Sequence, residues 1–120
     1  MSKILVVDDE SLVRGLAVEI LRRCGYEPQG VPSARQALAL LDEEAFELVV
    51  SDVVMPEMSG IEFLYELRNR RPDLPVVLMT GGSEEPEQTT MAVELGASGF
   101  VYKPFSHAEL RDAVAAALVR

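Results

Sequence analysis

Lys3-Ile4-Leu5-Val6-Val7-Asp8-Asp9-Glu10 is the stretch that decides the fold. Four consecutive aliphatic residues, without polar alternation, mark a strand covered on both faces, as in a parallel sheet packed between helices. The run then stops abruptly on carboxylates. Reading outward, Ser11 is placed to cap a helix that buries Leu12, Leu16, Ile20 and Leu21, and Gly25 to stop it. Residues 27–31 form a weaker, more polar strand, expected at a sheet edge. Ser33 then caps a second helix carrying Ala37, Leu38, Leu40 and Leu41.

The same unit recurs three more times. A strand at residues 47–51 leads into the loop of residues 52–60 and a helix with Ile61, Leu64 and Leu67 on one face. Pro72 and Pro75 precede a strand at 76–79. Thr80-Gly81-Gly82-Ser83 follows, with Glu84, Glu85 and Glu87 in the first turn of a fourth helix, where acids complement the helix dipole. A strand at 99–102 and a helix over 106–119 close the chain. Strict strand–helix alternation predicts an α/β fold: a doubly wound parallel sheet with right-handed crossovers and helices on both faces.

In such sheets ligands bind beyond the carboxyl ends of the strands. Three strands here end on Asp8-Asp9, Ser51-Asp52 and Lys103-Pro104-Phe105, so three acids and one lysine are expected at one edge. Clustered carboxylates repel unless a cation sits among them, which points to a divalent metal and a reactive aspartate. No glycine-rich dinucleotide fingerprint follows the first strand, so a nucleotide-binding Rossmann domain is not expected.

Composition narrows the classes further. A chain of 120 residues is expected to be a single domain spanning 1–120, and no segment reaches the ~20 apolar residues of a membrane helix. The net charge of −9 argues against nucleic-acid binding, which needs a basic face. Cys24, the one cysteine, allows no internal disulfide, and Met1-Ser2-Lys3 runs straight into a strand, so a cytoplasmic protein without signal peptide is expected. His107, the only histidine, reads as a surface residue, and Met55, Met58, Met79 and Met91 as packing.

Four pieces in order, each at a strand end, carry a family resemblance: Val7-Asp8-Asp9-Glu10, Asp52 with Met55-Pro56 and Gly60, Thr80-Gly81, and Lys103-Pro104-Phe105. The chain resembles the receiver domain of two-component response regulators over essentially its whole length. The resemblance implies a flavodoxin-like five-stranded parallel sheet of order 2-1-3-4-5 with five helices. It implies a phosphoacceptor switch, not an enzyme with external turnover. Asp52 would take a phosphoryl group from a phosphohistidine, and a carboxylate suits this because it is ionised at neutral pH. Asp9 and Asp52 would bind Mg²⁺ (or Mn²⁺ in its place) directly, the Val54 carbonyl would add an oxygen, and Asp8 would act through water. Lys103, before a cis peptide bond to Pro104, would hold a phosphoryl oxygen. Thr80 would engage the phosphoryl group and, with the strand-five aromatic Phe100, switch the face formed by helix four, strand five and helix five.

The implied partners are a sensor histidine kinase or phosphotransfer protein, and an output domain or target protein. Phosphorylation-dependent homodimers are compatible with this; membrane and direct nucleic-acid binding are not expected. Pairing with the kinase would use helix-one residues including Val13, Arg14 and Ala17. Two positions depart from the polar residues the family often carries: Val54 and Gly82 offer no group to position water, so slow unaided loss of the phosphoryl group is expected. Two other classes stay open. A haloacid-dehalogenase-like phosphatase wants a second acid where Val54 stands and a cap domain. A flavodoxin-like binder, or a degenerate receiver acting only as an interaction module, sits poorly with the full set Asp8, Asp9, Asp52, Thr80 and Lys103.

Overall fold

In the computed structural model, which describes residues 2–81 and 86–119, β1 (Lys3–Val7) lies between β2 (Glu27–Val31) and β3 (Leu48–Asp52). β4 (Val76–Thr80) and β5 (Gly99–Tyr102) follow outward from β3, giving one parallel sheet of order β2-β1-β3-β4-β5. The helices are α1 (Ser11–Arg23), α2 (Ala34–Glu43), α3 (Gly60–Arg70), α4 (Pro86–Glu94) and α5 (His107–Leu118). This is the doubly wound arrangement expected from the alternation of strands and helices.

The pleat sorts β1 onto two cores. Leu5 and Val7 face the core built with α2 and α3, whereas Ile4 and Val6 face the one built with α1 and α5. All four are fully buried, each contributing roughly 1.5–3 kcal/mol of hydrophobic stabilisation. β3 and β4 are buried along their whole length, as central strands. β2 is mostly exposed, and its place at the edge explains its polarity. Glu27 N–H bonds to the Ser2 carbonyl of the β1 side, so by alternation the Pro28 and Gly30 nitrogens face outward.

α1 departs from expectation. Leu12 is 87% exposed and Leu16 51%, while Ala17, Ile20 and Leu21 are buried, with Val13 and Cys24 packed beside them. The spacing 13, 17, 20, 21, 24 follows the helical repeat more closely than 12, 16, 20, so the buried stripe lies one residue round the helix. Ala17 is therefore core and not part of a kinase-facing surface. The N-cap position of α1 is Glu10, not Ser11, and its side chain makes no capping bond. Gly25 (φ 92°) does end the helix. Ser33, Ser59 and Ser106 cap α2, α3 and α5, the last two in reciprocal capping boxes with Glu62 and Glu109.

Candidate functional site

Main-chain ladders deliver the polar side chains to one edge. Asp52 is the last residue of β3, paired with Met79, and Thr80 is the last of β4, paired with Tyr102. One step further, Val53 N–H bonds to the Met79 carbonyl, Asp8 N–H to Val31, and Lys103 N–H to Thr80 at 2.7 Å. Asp8, Ser51, Asp52 and Thr80 are the buried polar side chains among the described residues. The Lys103–Pro104 bond is cis, as the resemblance implies.

Lys103 is the hub of the charges. Its Nζ lies 3.1 Å from Asp52 Oδ2, 3.3 Å from Asp8 Oδ2 and 3.6 Å from Glu10 Oε1. Burial opposes the ammonium charge, but the hydrogen bond and charge of Asp52, with Asp8 behind it, outweigh burial and hold its pKa above the usual lysine value. Asp52 goes the other way. Burial and the neighbouring Asp8 charge push it up to about 6, against the downward pull of Lys103 and of the Val54 N–H that donates to it. One lysine does not neutralise the pair.

A cation would complete the balance, and the donors fit a hard one. Asp8, Glu10 and Asp52 each bring a carboxylate oxygen within 4.8 Å of the others. Asp8 Oδ2 is buried and makes no hydrogen bond, its closeness to Lys103 notwithstanding. An oxygen-only set with an orphaned acceptor is the kind of site that suits Mg²⁺, which also retains waters.

The sequence places Asp9 in this group, but Asp9 is exposed and stands outside it, while Glu10 takes the third place. The cause is local. Asp8 Oδ1 accepts the Glu10 N–H at 2.9 Å, an Asx turn that points consecutive residues in different directions. Glu10 belongs to the Val7-Asp8-Asp9-Glu10 stretch, yet only the turn reveals its reach. Val54 is 63% exposed, so it forms no buried wall over Asp52, and Gly82 lies outside the described residues. Phe100 is half-buried against the α2–α3 core, whereas Tyr102 is 59% exposed. Gly60 has a steric role that the motif alone does not reveal: a Cβ there would sit 2.3 Å from the Asp52 carbonyl oxygen. Its N–H closes the loop onto the Val53 carbonyl at 2.7 Å. Only glycine lets α3 start this close to the strand end.

Comparison with known proteins settles the family. The model of the response regulator receiver domain matches residues 4–115. The chain belongs to the response regulator receiver domain family. This receiver domain is 40% identical over 114 residues to the response regulator protein FleR of Pseudomonas aeruginosa, covering 95% of this chain and 24% of that protein. It is 36% identical to the alkaline phosphatase synthesis transcriptional regulatory protein PhoP of Bacillus subtilis, covering 98% and 49%. The chain spans about half the length of the curated relatives it matches, or less. Among solved structures, the chemotaxis protein CheY4 of Vibrio cholerae superposes with a TM-score of 0.92 at 32% identity, over 98% of this chain and 99% of that one. The receiver domain of NtrX from Brucella abortus gives 0.90 at 35% identity, over 96% and 97%.

Proposed function

We propose that this receiver domain is the phosphoacceptor of a two-component phosphorelay, with Asp52 as the acceptor and a sensor histidine kinase or phosphotransfer protein as donor. The observation that carries the reading is the Asp52 carboxylate, buried at a strand end, 3.1 Å from the Lys103 ammonium and beside a second buried acid. An Asp52 oxygen attacks the phosphorus, the P–N bond to the donor histidine breaks, and its electron pair stays on the ring nitrogen. Lys103 holds a phosphoryl oxygen as a mobile point charge, and Thr80, buried at the end of β4, offers its hydroxyl to another.

Asp8 and Asp52, with Asp9 and Glu10 at the exposed part of the same loop and the Val54 carbonyl, would hold Mg²⁺ (or Mn²⁺). The ion supplies positive charge to the phosphoryl oxygens during transfer. The domain then acts as a switch and not as an enzyme with external turnover. Charge arriving between Thr80 and Lys103 draws on β4 and β5, and half-buried Phe100 turns inward with them, changing the α4–β5–α5 face. That face would act on an output domain or target, or form a homodimer. Exposed Leu12 and Leu16 on α1 suit the kinase contact.

No helix among the described residues is long and apolar enough to cross a membrane, and with the acidic charge a cytoplasmic relay without nucleic-acid contact by this domain is the reading in keeping. Incubation with acetyl phosphate or phosphoramidate and Mg²⁺, followed by intact mass, tests it. A gain of one phosphoryl group that Asp52→Asn abolishes is the expected result. A gain that persists in Asp52→Asn, or none in the wild type, removes the assignment.

A further inference from the structure

Arg14 makes contacts that no part of the phosphoacceptor chemistry uses. From the first turn of α1, its Nη1 donates to the Asp8 main-chain carbonyl at 2.8 Å, while its own N–H bonds to the Glu10 carbonyl at 2.9 Å. Its stem crosses β2 at Gly30, where a Cβ would lie 3.0 Å from Arg14 Cγ and 3.2 Å from both Arg14 Cδ and Val18 Cγ2. Gly30 is thus the floor on which the arginine lies flat. Three elements meet on this one side chain: the acid-bearing loop, the helix after it and the edge strand.

The effect on Asp8 can be followed group by group. Its N–H is held by the Val31 carbonyl, its carbonyl by Arg14, and its Oδ1 by the Glu10 N–H. Among the described residues only Oδ2 has no main-chain partner, and its one contact is the ion pair with Lys103 at 3.3 Å. We propose that Arg14, seated over Gly30, is a positioning residue for the metal site: it fixes the Asp8 main chain so that Oδ2, the carboxylate oxygen held only by the Lys103 ion pair, is presented to the metal ion. The proposal deepens the phosphoacceptor reading and rests on it. It separates Arg14 from simple surface contact with a kinase, because its effect reaches a site that small phosphodonors also use. Groups that orient metal ligands commonly change metal affinity about 10–100-fold when removed.

The test measures Mg²⁺ affinity by calorimetry on the unphosphorylated protein, thermal unfolding without Mg²⁺, and acetyl phosphate kinetics across Mg²⁺ concentrations. Arg14→Ala is expected to raise the Mg²⁺ Kd about tenfold or more, and to slow phosphorylation at low Mg²⁺ while saturating Mg²⁺ restores the rate. Arg14→Lys, which keeps one donor, recovers part of the affinity. Gly30→Ala, whose methyl presses on the arginine stem and on Val18, weakens Mg²⁺ binding in the same direction. Wild-type affinity in both Arg14→Ala and Gly30→Ala overturns the proposal, as does a loss of thermal stability with Mg²⁺ affinity unchanged. If Arg14→Ala does not fold, Gly30→Ala decides alone. A wild type that binds no Mg²⁺, or takes up phosphate without Asp52, defeats the underlying reading instead, and the two failures are thereby told apart.

Discussion

The two ends of the sheet handle charge in opposite ways. At the carboxyl end, Asp8, Asp52, Glu10 and Lys103 meet in a half-enclosed space with more negative than positive charge. At the amino end lies a hollow of about 550 Å³, lined by Phe46, Arg70, Arg71, Pro72, Leu74 and Pro75 among others. Arginines there are tied to main-chain carbonyls: Arg71 to Leu41, and Arg68 to Pro72 and Leu74. These guanidinium groups are held by fixed main-chain acceptors within the fold. Clustered acids with perturbed titration, and not the presence of a hollow, are what single out the carboxyl end as the candidate site.

The contrast can be broken by experiment. Lys103→Met takes away the ammonium that pairs with Asp8, Glu10 and Asp52 and should lower stability by about 3 kcal/mol in metal-free buffer, with Mg²⁺ restoring much of it. Denaturant titrations with and without Mg²⁺ check this, and an Mg²⁺-independent loss would contradict the charge argument. Gly60→Ala forces a methyl against the Asp52 carbonyl and should cost roughly 1–3 kcal/mol, together with loss of phosphoryl uptake by mass.

Asp52→Asn is expected to act in the other direction. With the folded pKa raised to about 6, the stability Asp52 contributes is full in acid, where the carboxyl is protonated, and is lost as pH rises through 6. Asparagine mimics the protonated form. The variant should therefore be about 1–2 kcal/mol more stable than wild type at pH 7.5 without Mg²⁺, and equal to it near pH 4. Unfolding curves at the two pH values decide, and a constant difference would show that Asp52 does not titrate in this window. The smallest effect belongs to the amino end. Arg71→Ala should cost about 1 kcal/mol for the hydrogen bond to Leu41, by the same denaturant measurement, and to the same extent with or without Mg²⁺.

The strands were legible because a parallel sheet between helices forces unbroken aliphatic runs, and Asp52 and Lys103 were legible because they end such runs. The face of α1 was not, since Leu12 and Leu16 are apolar residues standing in solvent while small Ala17 fills the core. Asp9 and Glu10 could not be told apart by type; the Asx turn at Asp8 sorts them, and that turn is a matter of one side-chain-to-backbone bond. Arg14 and Gly60 act on main-chain carbonyls, which leave no pattern in the sequence. The Ser59 to Glu62 spacing is a readable capping signal that a search for site motifs passes over.

Pro28 has a consequence for how copies of this protein meet. The outer side of β2 is a row of groups that could template a foreign strand, and at one of its outward positions the ring leaves no N–H to donate. With charged Glu27 beside it, the rim lacks the unbroken donor row that strand-to-strand stacking needs. Pro28→Val would reopen that rim to fibre-like growth while leaving the phosphate chemistry untouched.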